Sequence, residues 1–162
     1  MKDLKMKGLE AKDGIVKLFE ERIVFVPPTI ITLLGQIYGE GANPLLKYLG
    51  KKMGRRLIET WEEHLRPKTL IQLTEIFLDM ISTSGWGNFK LEKIIEDEEI
   101  IIKLENNVGK VSGGPSLYID YFISGLLSGF GEFAFYNAQV SIEESSEELN
   151  SIFIIKKRKI EI

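Results

Sequence analysis

The chain has 162 residues, 44% of them apolar and 28% charged, with 21 basic residues against 24 acidic and a net charge of -3. That length suits one domain with a core large enough to need no disulfide or metal staple. The absence of cysteine excludes disulfides, thiol catalysis, Cys-ligated zinc and iron–sulfur clusters, and the charge balance offers no electrostatic case for nucleic acid.

From the N-terminus, Met1–Gly8 is charged and has no apolar segment of the kind a secretory signal needs, so the cytoplasm is the expected location. Gly14–Phe19 and Arg22–Val26 are β-branched and aromatic runs on either side of Glu20-Glu21, the pattern of a hairpin. Pro27-Pro28 ends the second run and opens a helix with Thr29 in its first turn and a stripe of Ile30, Ile31, Leu33, Leu34 and Ile37. Gly39–Pro44 breaks or kinks it. Helical spacing resumes with Leu45, Leu46, Leu49, Met53, Leu57 and Trp61, opposite a face of Lys51, Lys52, Arg55, Arg56 and Glu59. Pro67 separates this helix from a third, marked by Leu70, Leu73, Ile76, Phe77, Met80 and Ile81.

The turn Gly85-Trp86-Gly87 precedes a second hairpin, Phe89–Ile95 and Ile100–Leu104 around the acidic turn Glu96–Glu99. A loop from Asn106 to Pro115 leads into an apolar helix over Leu117–Phe135. Asn137–Ile142 and Ile152–Lys156 then form a last strand pair around an acidic turn. The order of elements predicts an α+β domain spanning 1–162, a mostly antiparallel sheet covered on one face by helices.

Gly125, Gly129 and Gly131 lie inside the predicted apolar helix, where three glycines together cost about 3 kcal/mol relative to alanine. With Ser124 and Ser128 they make a small-residue face, either for close packing or as the floor of a pocket. Asp120 and Glu132 argue against a membrane span. The aromatic side chains Phe77, Phe89, Tyr118, Tyr121, Phe122, Phe130, Phe133 and Phe135 serve equally as an ordinary core or as the wall of an apolar cavity. His64, the single histidine, stands near a helix end where a cation suits the helix dipole, and no nucleophile motif accompanies it. The cluster Lys156–Lys159 reads as a solvated strand end. Gly109 and Gly113-Gly114 have neither the context nor the spacing of a nucleotide-binding loop. The richness in Ile, Lys and Glu fits the composition of thermophile, archaeal-like proteins.

Taken in order, the spaced glycines of Leu34-Gly35, Leu49-Gly50 and Met53-Gly54, the Gly85-Trp86-Gly87 turn, the run Phe122–Gly129 and the ending Ser151-Ile-Phe-Ile-Ile155 resemble the 4-vinyl-reductase-type domain, a small-molecule-binding family related to the subunits of the TRAPP transport particle. The resemblance covers roughly residues 12–158. It implies a stand-alone sensor or carrier that encloses an apolar or aromatic ligand, with Trp61, Leu73, Phe77, Trp86, Tyr118, Phe122, Gly125, Gly129 and Phe130 as candidate pocket residues. It also implies a homodimer with the long helices as candidate interface. Some family members hold zinc with cysteines and a glutamate; here the corresponding positions are Asp120, Glu143, Ser146 and Ser151, a degenerate set from which no metal and no other cofactor is expected. Two other readings stay open: an assembly module like the TRAPP subunits, with a protein partner, and a reductase acting on a vinyl or hydrocarbon group. No nicotinamide or flavin motif supports the reductase, so a binding protein is favoured over an enzyme.

Overall fold

A computed structural model describes residues 6–111 and 117–159. The chain runs β1 (Leu9–Lys12), β2 (Ile15–Leu18), β3 (Glu21–Ile23), α1 (Thr29–Tyr38), a single 3-10 turn at Gly39–Gly41, α2 (Ala42–Leu65), α3 (Leu70–Thr83), β4 (Asn88–Ile95), β5 (Glu99–Glu105), α4 (Val108–Val111), α5 (Leu117–Phe135), β6 (Ala138–Glu144) and β7 (Ser151–Lys157). The strands divide between two antiparallel sheets, a meander β1-β2-β3 and a four-stranded sheet in the order β4-β5-β7-β6. Of the predicted 106–115 loop, residues 112–115 lie outside the described part, as do Gly113 and Gly114.

Strand alternation builds the main sheet. Ile100, Ile102 and Leu104 of β5 and Phe153 and Ile155 of β7 are fully buried, paired across the ladder as Ile100↔Ile155 and Ile102↔Phe153. They form the inner face, against which α5 packs; α3 lies against β4. The turn at Gly85–Gly87 needs its glycines. Both take positive φ (100° and 137°), and a Cβ at Gly87 would meet Leu104 Cδ1 at 2.6 Å.

The central helix contact is made of glycine. Helices α2 and α5 run parallel, with Gly50 and Gly54 set against Phe122, Gly125 and Leu126, and with Gly125 and Gly129 set against Lys47, Gly50, Lys51 and Arg55. A Cβ added at Gly50 would lie 3.0 Å from the Gly125 Cα, and one at Gly129 would lie 2.6 Å from the Arg55 backbone nitrogen. The backbones themselves are in contact, which offsets the helix-propensity cost of these residues.

This seam rotates the buried face of α2 away from the predicted stripe. Ala42, Leu46, Gly50, Gly54, Ile58 and Trp61 are buried, whereas Leu49 and Met53 are 40% and 42% exposed. The apolar pattern points to the leucine and methionine because glycine carries no hydrophobic signal of its own. In α1, only Ile31 and Gly35 are buried, since the Tyr118 ring lies on Gly35; Ile30, Leu33 and Ile37 face out. The second predicted strand stops at Ile23, leaving Val24–Val26 exposed, and β1 is an element the apolar pattern did not mark. The meander is tied to α2 by Arg56, whose Nη2 donates to Glu21 Oε1 at 2.8 Å, and by Phe19, which stacks on His64 with ring centroids 4.5 Å apart.

Candidate functional site

Three helices deliver an aromatic group to the interior. Trp61 comes from the last turns of α2, Phe77 from α3 and Phe130 from α5. The Trp61 and Phe77 rings are 5.8 Å apart, and Phe77 stacks on Phe130 at 4.6 Å. Leu73 lies one turn before Phe77 on α3 and is also buried. Periodicity explains the convergence: Ile58 and Trp61 continue the face that carries Gly50 and Gly54, and Phe130 follows directly on Gly129.

Within this group, Trp61 is 2% exposed and its indole Nε1, a donor with no alternative role, is buried without a hydrogen-bond partner. A buried donor left unpaired costs about 1–3 kcal/mol. The neighbouring His64 does not meet that need; its Nδ1 lies 2.8 Å from the Thr60 carbonyl oxygen, and its ring is stacked on Phe19. The Nδ1 and the ring face of His64 are thus engaged in structure.

The remaining candidates fall elsewhere. Trp86 pairs with Phe122 at 5.1 Å, and Phe122 precedes Phe130 by two helical turns, about 12 Å along the axis. Tyr118 covers Gly35, and Gly125 and Gly129 lie in the α2–α5 seam. The structure therefore joins Trp61, Phe77 and Phe130 in one place, with Leu73 buried one turn before Phe77, Trp86 and Phe122 in a second, and sets the others in packing contacts.

A second buried polar group links α5 to the sheet. Asn107 Nδ2 donates to Asp120 Oδ1 (2.7 Å) and to Ser151 Oγ (3.0 Å), while its own Oδ1 accepts from the Gly109 N–H (2.9 Å). The Asn107 N–H in turn donates to the Leu149 carbonyl, and Lys110 Nζ donates to the Asn150 carbonyl. Burial pushes the Asp120 carboxyl above the usual carboxylate range, opposed by the Asn107 hydrogen bond and by the charge of Lys110. Of the four positions that the resemblance aligned with a zinc site, Asp120 and Ser151 thus meet through Asn107, while Glu143 and Ser146 are exposed. One carboxylate, an amide and a hydroxyl lack the nitrogen and sulfur donors zinc prefers. Among the described residues, no three His, Cys, Asp or Glu side chains are grouped so as to hold a metal. Asn107 is the member sequence reasoning missed. Its only signal is the Asn106-Asn107 pair at the end of a strand, and its partners are 13 and 44 residues away.

Among the described residues, no helix is long and apolar enough to cross a membrane. No family model matches the chain, and no curated protein matches it by sequence. Among solved structures it is similar to the phenol-responsive sensory domain of the transcription activator PoxR in complex with phenol. The match has a TM-score of 0.78 at 11% identity and covers 93% of this chain and 85% of that one. The two share a fold. The α+β architecture expected from the order of elements is the one observed.

Proposed function

We propose that this chain is a small-molecule-binding domain that seats an aromatic ring bearing one hydrogen-bond acceptor among Trp61, Leu73, Phe77 and Phe130, in the manner of a sensor or carrier of the 4-vinyl-reductase type. The observation that carries the reading is the unpartnered Trp61 Nε1–H inside an aromatic group. A phenolic or carbonyl oxygen would supply the missing acceptor, and burial of the ring would contribute about 25 cal/mol per Å² of apolar surface. Likeness of fold to a domain solved with phenol supports the same class of ligand. Entry requires the Phe77–Phe130 stack to open, so binding would favour one arrangement of α3 against α5, the differential affinity by which a ligand shifts a conformational equilibrium.

The test is native mass spectrometry of the purified protein, followed by denaturing extraction. A reproducible extra mass, aromatic and oxygen-bearing when identified, and absent from the Trp61→Phe variant, is the expected result. An occupant kept undiminished by Trp61→Phe would remove the assigned role of the indole.

A second reading, an assembly module with a protein partner, is favoured by one observation. Val24, Phe25, Val26, Ile30, Leu33, Ile37 and Tyr38 are between 46% and 76% exposed on one continuous segment leading through α1. That is more apolar surface than scattered exposed residues account for. Co-purification of a stoichiometric protein partner, lost on replacing Leu33 and Ile37 with lysine, would establish it.

A further inference from the structure

The two edges of the main sheet are built differently. At one edge, β4 carries a bulge between Leu91 and Lys93 and exposed lysines at 90 and 93, features that discourage an edge strand from pairing. At the other, β6 runs seven residues in unbroken register with β7 and has no bulge, proline or lysine. Near its middle, Ile142 is 40% exposed. Among the described residues no element pairs with the outer edge of β6.

Charge is segregated along this strand. The first half of β6 borders a cleft of about 380 Å³ whose walls carry Lys47 and Lys51 of α2 and Arg158 beyond β7, against the single carboxylate of Glu132, which pairs with Lys51. The second half ends in the exposed pair Glu143 and Glu144.

We propose that β6 is the pairing edge for a second copy of this chain, two such strands joining antiparallel about a two-fold axis near Ser141. Antiparallel pairing centred there sets Gln139 opposite Glu143 of the partner subunit and Ala138 opposite Glu144 of the partner subunit. Each acidic end then meets the other copy's cationic cleft. Parallel pairing would bring like charges together. Because β4 is protected, the assembly closes at two copies. The inference does not depend on whether a ligand enters the aromatic group.

The absence of native cysteine makes the test clean, since S141C introduces the sole thiol. Residues directly opposite in an antiparallel pair have Cβ atoms about 4.5–5.5 Å apart, within reach of a short thiol cross-linker. Tyr136, 93% exposed just before β6, serves as the control; at about 3.4 Å per residue, two such positions would stand roughly 34 Å apart in the proposed dimer. The expected result is a dimer in native mass spectrometry, with S141C cross-linking at least about tenfold faster than Y136C because the paired thiols have a raised effective concentration. I142K, an exposed change that leaves the core untouched, is expected to return the protein to monomer. A monomer at every concentration, equal cross-linking of the two thiol variants, or an undiminished dimer in I142K would each overturn the proposal.

Discussion

The α2–α5 seam and the aromatic group at its far end are made from opposite materials. In the seam there are no side chains to move: Gly50, Gly54, Gly125 and Gly129 bring two backbones together, and any added atom meets a carbonyl, an amide or an α-carbon. Beyond it, Trp61 two turns after Gly54, Phe130 next to Gly129 and Phe77 from α3 bring their rings together, one of them carrying an unpaired donor. Rings can change rotamer or shift with their helices; touching backbones cannot separate without losing the contact along its length. The seam therefore acts as the fixed part of the molecule, and on the proposed reading the aromatic group is the part that opens to an occupant.

The contrast is tested first by changing side-chain volume on each side. Gly129→Val is expected to lose about 3 kcal/mol or more in urea denaturation, at the upper end of overpacking effects because backbone is the obstacle. Phe77→Leu should lose only about 1–2 kcal/mol, the aromatic group closing partly around the smaller side chain. Equal losses would abolish the distinction.

Next in size is Asn107→Ala. It leaves the buried Asp120 without its donor and is expected to cost about 2–3 kcal/mol. Trp61→Phe sharpens the comparison from the other side. It removes the unpaired donor as well as some ring volume, so stability should change little, while affinity for a ring with an acceptor falls about tenfold, the equivalent of 1.4 kcal/mol. Titration calorimetry with phenol as the probe reads that loss.

The smallest effect is that of pH. The Asp120 carboxyl is raised in the folded state, so the folded protein binds its proton more tightly than the unfolded chain does. Its contribution is fully present below the ordinary carboxylate pKa and is lost as pH rises through the raised folded value. Asp120→Asn, which keeps an oxygen for Asn107, should flatten the decline of the urea midpoint across that interval and leave the variant the more stable at neutral pH. Parallel curves would mean that burial does not tax the charge.

Much of the fold was legible because apolar side chains recur at the period of their element. Leu117–Phe135 is helical over the range the sequence indicates, and β5 alternates residue by residue. The face of α2 was misread for the same reason: a stripe scored on side-chain hydrophobicity passes over Gly50 and Gly54 and settles on Leu49 and Met53. The candidate site was legible as a set of residue types, with Trp61, Phe77 and Phe130 named from the chain. Their grouping, and the separation of Trp86 and Phe122 from them, depends on three helices meeting in space. The Asn107–Asp120–Ser151 connection was not legible, since each hydrogen bond spans a distance in sequence that no local pattern records.

On the proposed reading, the Trp61 indole donor receives an acceptor from a bound ring. The chain contains two tryptophans, so a nitrogen–proton correlation spectrum shows two indole signals, and Trp61→Phe assigns them. On titration with phenol, the Trp61 indole signal should move downfield and saturate, as expected for a new hydrogen bond, whereas toluene, with no acceptor, should leave it unbonded. A Trp61 signal that phenol does not move, or that phenol and toluene move alike, would contradict the account.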